Sequence, residues 1–172
     1  MKMRTKLTMI VLLLGLGMGL STQAHSQAYY EKAIGLRLGW GLGVTGKYFL
    51  NDKAAIEANV RYRNYGVVGF SYYWLTVQGL YEIHNPLESL ADGLQWYYGG
   101  GAYVTIVGGD FDYPGSEFDG TFFGISGVLG LDYKFADIPL NLSVDWMPSI
   151  NIGGGVNTFG GENGGLAARY TF

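Results

Sequence analysis

Hydrophobic and polar side chains alternate with a period of two residues along most of the chain after residue 28. This alternation indicates strands with one apolar and one polar face, and no segment shows a sustained helical period. Eight segments follow the pattern, which predicts an all-β protein. The predicted strands are Ala33–Leu38, Gly41–Phe49, Ala54–Arg63, Ser71–Glu82, Leu94–Ile106, Thr121–Phe135, Leu140–Trp146 and Gly164–Phe172.

Eight antiparallel strands can close as a soluble barrel or as a membrane barrel, and the two differ in which face is apolar. The polar face of the predicted strands carries ionisable residues of both signs. These are Arg37, Lys47, Glu57, Arg61, Arg63, Glu82, Asp132, Lys134, Asp145 and Arg169. In a membrane barrel they would form a charge network in a narrow lumen, whereas on a soluble barrel they would face water. The charges alone therefore leave both architectures open.

The partners within such a network can be narrowed by geometry. Glu57 and Arg61 are four residues apart on one strand, hence roughly 13 Å apart at the usual rise. They cannot pair with each other. Partners on neighbouring strands are expected, with Glu82, Asp132 and Asp145 as candidates.

Three features favour the membrane barrel. Short connections (50–53 and 136–139) alternate with longer ones (107–120 and 148–163), the asymmetry of outer-membrane barrels. The last strand ends on Phe172, which resembles the signal read by the barrel-assembly machinery. Aromatic residues collect at one rim like an interfacial girdle. They are Tyr29/Tyr30, Tyr48/Phe49, Tyr81, Trp96, Tyr133/Phe135 and Tyr170/Phe172. The prediction is an eight-stranded antiparallel transmembrane β-barrel of outer-membrane type.

The first 28 residues have the pattern of a secretory signal peptide. Three basic residues among the first six are followed by the apolar run Met9–Leu20 and a polar stretch. The run is well short of the ~20 residues that a transmembrane helix needs. We expect export with cleavage after Ala24 or Ala28, so that residues 1–28 are the signal peptide and residues 29–172 the barrel.

Composition fits this architecture and excludes others. The chain has 29 glycines, 14 tyrosines, 9 phenylalanines and 4 tryptophans among 172 residues, no cysteine, and a net charge of −3. The aromatic content argues against disorder. The negative charge argues against nucleic-acid binding. The high content of apolar residues fits strands that face lipid, and the high glycine content fits a narrow, curved barrel wall.

Several motifs add a resemblance that covers nearly the whole predicted barrel. They are Tyr81–Pro86, Gly93–Ala102, Gly127–Tyr133 and Ile138–Pro148. These segments resemble a family of small outer-membrane barrels of Bacteroidetes-type bacteria, and the layout is distantly similar to OmpA- and OmpW-type eight-stranded barrels. The resemblance implies the outer membrane of a Gram-negative bacterium. Outer-membrane lipid, lipopolysaccharide and, through Phe172, the barrel-assembly machinery are then the expected partners.

Candidate chemistry is sparse. His84 is the only histidine after residue 28 and lies beside Pro86 in a predicted turn, where stabilising the turn is favoured over catalysis. The acidic loop Asp110–Asp119 matches no defined calcium loop, so a solvated loop is favoured over a metal site. No enzymatic activity, cofactor or metal is expected.

Two functions remain open for a barrel of this kind. The first is a non-catalytic role in envelope structure or surface contact, with a lumen plugged by ion pairs. The alternative is a narrow, porin-like channel of the OmpW type for small or apolar solutes. Because the predicted lumen residues include six basic and four acidic groups, such a channel would weakly prefer anions.

Overall fold

The structure, a computed structural model, describes residues 30–67, 70–87, 89–111, 117–153, 159–160 and 164–172. The predicted signal peptide and residues 112–116 of the acidic loop lie outside this part of the chain. Within the described ranges, no helix has both the length and the apolar character needed to cross a bilayer.

The described residues form ten strands, each antiparallel to its neighbours. They are β1 (Lys32–Gly39), β2 (Gly41–Phe49), β3 (Ala54–Val67), β4 (Phe70–Pro86), β5 (Leu94–Phe111), β6 (Glu117–Lys134), β7 (Leu140–Trp146), β8 (Ser149–Gly153), β9 (Phe159–Gly160) and β10 (Gly164–Thr171).

These ten strands make a closed barrel of eight. Strands β1 to β6 pair in sequence order, β6 pairs with β7, and β10 joins β7 to β1. Both β7 and β8 lie against β6, so they act as one strand interrupted at Met147 and Pro148. In the same way, β9 pairs with β8 and β10 pairs with β7, so β9 and β10 also act as one strand of the barrel. The predicted eight-stranded antiparallel barrel is therefore confirmed.

Several strands are longer than the sequence pattern predicts. Strand β4 continues to Pro86, β5 continues to Phe111, and β6 begins at Glu117. Strand β8 lies inside the predicted loop 148–163. Alternation continues in part of these segments, since Ile150 and Ile152 of β8 alternate with Ser149 and Asn151. Backbone pairing also continues, as between Asp110 and Glu117.

The two ends of the barrel differ in their connections. The turn end carries residues 50–53, 87–93 and 135–139. The loop end carries the tight β1–β2 turn and the other connections of the barrel. Gly41 has a φ of 122° in that tight turn, a backbone conformation that residues other than glycine rarely adopt.

The barrel presents an apolar outer face and a polar inner face. Val44, Val60, Val77 and Val104 form a row across four strands, and each is between 39% and 52% exposed. Charged and polar residues alternate with them and are buried inside.

Two members of the predicted aromatic girdle face inward, which corrects the prediction. Tyr30 and Phe49 are buried and make an edge-to-face contact with ring centroids 5.0 Å apart. Adjacent residues of a strand point to opposite faces. Tyr48 therefore lies outside while Phe49 shares the inner face with Lys47.

Candidate functional site

An apolar layer lies at the turn end of the lumen. Tyr30, Ala33, Phe49 and Ala55 pack together there and are all at least nine-tenths buried. Ala33, Phe49 and Ala55 lie near the turn ends of β1, β2 and β3, and Tyr30 lies just before β1. In the three strands, alternation places these side chains on the inner face. The charged groups follow this layer toward the loop end.

Glu57 of β3 is the centre of the charged cluster. Its Oε2 atom lies 2.8 Å from Arg169 Nη2 and 3.1 Å from Lys47 Nζ. Its Oε1 atom accepts a hydrogen bond of 3.2 Å from the Thr45 hydroxyl and lies 3.6 Å from Arg37 Nη1. One carboxylate thus contacts three buried cations, each from a different strand.

Lys47 of β2 connects Glu57 to the other side of the lumen. Its Nζ lies 2.8 Å from Glu82 Oε2 and 3.3 Å from Asp132 Oδ2. The Tyr97 ring centroid is 4.3 Å from the same ammonium group. Because β2 and β6 are not neighbours, the contact between Lys47 and Asp132 crosses the barrel.

Every side-chain nitrogen of Arg169 of β10 has a hydrogen-bond partner. Besides the ion pair with Glu57, it donates hydrogen bonds to Ser143 Oγ at 2.8 Å, Asn141 Oδ1 at 3.2 Å and Thr45 Oγ1 at 3.2 Å. A planar guanidinium with several fixed donors can join four side chains in this way.

Asp145 of β7 forms a second centre, closer to the loop end. Arg37 Nη2 donates to one carboxylate oxygen and the Tyr97 hydroxyl donates to the other at 2.9 Å. Tyr97 also packs with Leu80, Val128 and Met147 in a small apolar cluster. The two centres are joined because Arg37 faces both Asp145 and Glu57.

His84 corrects the sequence prediction. It lies within β4 and is fully buried. Its main-chain N–H donates to the Lys53 oxygen in the 50–53 turn at 2.7 Å, but its side chain contacts residues of the lumen and not of a turn. Its ring nitrogens are 3.1 Å from Glu82 Oε2 and 3.1 Å from Gln95 Oε1, and the ring stacks on Tyr97 at 4.8 Å. The strand continues past His84, so the parity that places Glu82 inside places His84 there too.

Three of the predicted network residues lie outside the ion pairs. Arg61 is buried but forms no hydrogen bond or ion pair with any described residue. Arg63 packs between the rings of Trp40 and Tyr65, 4.0 and 3.9 Å from their centroids. Lys134 donates to main-chain carbonyl oxygens, among them that of Ile138 at 2.9 Å.

The structure therefore brings seven of the ten predicted residues together. They are Arg37, Lys47, Glu57, Glu82, Asp132, Asp145 and Arg169. The expectation of partners on neighbouring strands holds for Lys47 with Glu57, but Lys47 with Asp132 and Glu57 with Arg169 join strands that are not neighbours. Arg63 and Lys134 are half-exposed. Without them, the buried lumen holds four basic and four acidic side chains rather than an excess of two positive charges.

Uncharged members of the cluster are absent from the sequence prediction. They are Tyr30, Thr45, Gln95, Tyr97, Asn141 and Ser143. Thr45 shares the inward parity of Lys47, and Asn141 and Ser143 share that of Asp145, which was a usable signal. Gln95 and Tyr97 lie on β5, which carries none of the predicted charged residues. In the described part of the chain, no group of three or more His, Asp or Glu residues is arranged to hold a metal ion. The acidic loop lies mostly outside that part.

Comparisons with known proteins bear on the fold. No protein-family model matches the chain, and no curated protein matches it in sequence. Among solved structures, the chain is similar to the N-terminal β-barrel domain of Pseudomonas aeruginosa OprF, with a TM-score of 0.60 and 16% identity, covering 85% of this chain and 98% of that one. It is also similar to Ail, the attachment invasion locus protein of Yersinia pestis, with a TM-score of 0.52 and 12% identity, covering 82% and 93%. The fold is that of eight-stranded outer-membrane barrels.

Proposed function

We propose that the chain is an integral outer-membrane barrel with a closed lumen, and that it acts through its outer surface and loops in envelope structure or surface contact, without catalysis. The observation that carries the proposal is the ion-pair cluster centred on Glu57. It joins β3 to β1, β2 and β10, and through Lys47 it reaches β4 and β6. An eight-stranded barrel has an interior that side chains can fill.

The geometry of His84 supports the non-catalytic part of the proposal. Both ring nitrogens are held, by Glu82 and Gln95, and the ring is covered by Tyr97 and Phe49. A general acid or base must reach the proton that it transfers. His84 is fully buried, so it has no such access.

The closed lumen can be tested in planar lipid bilayers. We expect the wild-type protein to add no unitary conductance to the bare bilayer. Arg169→Ala removes the side chain that joins Glu57 to Asn141 and Ser143. We expect this variant to show unitary conductance. Arg63→Ala is the matched control and should stay closed, because Arg63 lies over the Trp40 and Tyr65 rings near the loop end and takes part in none of the ion pairs described above.

The alternative of a narrow channel makes the opposite prediction. Steady conductance of the wild-type protein, with a reversal potential that shows ion selectivity, would replace the closed-lumen proposal. The balanced charge of the buried lumen predicts little selectivity in that case, in place of the anion preference expected from sequence.

Membrane insertion itself can be tested on the outer face. Val44 is 52% exposed at the middle of β2 and lies between Leu36 and Val60. We expect Val44→Arg to reduce the free energy of unfolding in phospholipid vesicles by about 2–4 kcal/mol, the cost of a basic side chain near the bilayer midplane. Val44→Leu should have little effect. Equal stability of the two variants in vesicles would contradict a lipid-facing position.

A further inference from the structure

Arg61 is a buried cation without a partner among the described residues. Its side chain is only 7% exposed, and its Nε atom is buried without a hydrogen-bond acceptor. Arginine stays protonated in proteins, so the charge cannot be removed by losing a proton. A buried charge of this kind costs several kcal/mol unless an opposite charge compensates it. Asp145, the carboxylate whose charge acts on Arg61, is already held by Arg37 and Tyr97.

Other unsatisfied donors lie beside Arg61. Arg37 and Arg61 flank Gly43 in one row of the sheet on the inner face. The Nε atom of Arg37 has no hydrogen-bond acceptor, and its Nη1 atom lies 3.6 Å from Glu57 Oε1, too far for a hydrogen bond. Asn59, two residues before Arg61 on the same face, is fully buried and neither amide atom has a partner. Two guanidinium groups and one amide therefore offer unused N–H donors in a small region.

This region lies on the loop-end side of the Glu57 cluster. Arg61 lies four residues beyond Glu57 toward that end, and Thr76, the β4 residue in register with it, is half-exposed. An added Cβ at Gly43 would lie 2.9 Å from Arg61 Cγ, so the absence of a side chain at Gly43 leaves room for the Arg61 stem over β2. The charged cluster around Glu57 closes the lumen on the other side.

We infer that Arg61, with Arg37 and Asn59, forms a binding site for a small oxyanion that enters the lumen from the loop end. A carboxylate or phosphate group fits best, because the planar fork of arginine matches two oxygens at once. The site shares Arg37 with the ion pairs, whereas Arg61 and Asn59 belong to none of them. Binding at Arg61 can therefore be tested whether or not the barrel conducts.

Isothermal titration calorimetry on the full-length barrel refolded in detergent micelles tests the inference. Sodium phosphate and sodium acetate are titrated separately at constant ionic strength, balanced with sodium chloride. We expect saturable one-site binding of at least one of the two anions, and the two titrations distinguish phosphate from carboxylate. Arg61→Gln should weaken binding about tenfold or more, the usual worth of a charge-assisted hydrogen bond.

Two further variants make the result decisive. Arg63→Gln removes an arginine two residues away on the same strand and should bind as the wild type does. Asn59→Asp places a carboxylate beside Arg61, so it should abolish binding of the added anion and raise the melting temperature. Absence of binding to the wild type, wild-type affinity in Arg61→Gln, or loss of binding in Arg63→Gln would each overturn the inference.

Discussion

Glu57→Gln should reduce the free energy of unfolding of the barrel by about 3–5 kcal/mol, because removing one partner of a buried ion pair leaves uncompensated charge behind. Glu57 faces Lys47, Arg169 and Arg37 at 3.1, 2.8 and 3.6 Å. Glutamine keeps the shape of the side chain, removes the charge and replaces one acceptor oxygen by an NH2 donor. Urea unfolding of the refolded protein in lipid vesicles, followed by tryptophan fluorescence, measures the change.

Glu31→Gln is the matched control for this prediction. Glu31 pairs with Lys32 at 3.3 Å, but both side chains are about half exposed. An exposed pair contributes about 0–1 kcal/mol, so the same substitution should have little effect there. Adding Lys47→Gln to Glu57→Gln should cost less than the sum of the single changes, since the two residues share one interaction. Similar stability of Glu57→Gln and Glu31→Gln would contradict the central role of Glu57.

The strands and their inner faces were predictable because the alternation extends through every strand that crosses the barrel. Once Glu57 is placed inside, a period of two also places Arg61 inside, as the structure confirms. The same rule explains the error at Phe49: the sequence interpretation grouped it with Tyr48 as one rim, although adjacent strand residues face opposite ways.

The pairing inside the lumen was not predictable in the same way. Alternation gives the face of a residue but not its distance from residues across the barrel, which depends on strand tilt and stagger. Lys47 therefore reaches Asp132 on a strand that is not its neighbour. His84 was misplaced for a different reason: Pro86 suggested a turn, but a proline can end a strand, and β4 continues to that residue.

Gly101→Ala should reduce the free energy of unfolding by more than about 4 kcal/mol and so prevent the barrel from folding. Changes of this size are typical of severe steric or electrostatic defects. A Cβ at Gly101 would lie 1.8 Å from the main-chain oxygen of Gly79 and 2.9 Å from Leu80 Cα. Both atoms belong to the backbone of β4, so no side-chain rotation relieves the contact. Relief would require β4 and β5 to separate, and they pair along the full length of β4.

Gly79→Ala provides the matched control on the facing strand. An added Cβ at Gly79 meets nothing within 4 Å. The same change should therefore alter the free energy of unfolding by less than about 1 kcal/mol, and it can stabilise the barrel by restricting the unfolded chain. Refolding yield in vesicles, measured by circular dichroism and protease protection, compares the two variants. A folded Gly101→Ala barrel with the stability of Gly79→Ala would show that β4 and β5 tolerate a wider spacing, and close strand approach would then not explain the glycine at this position.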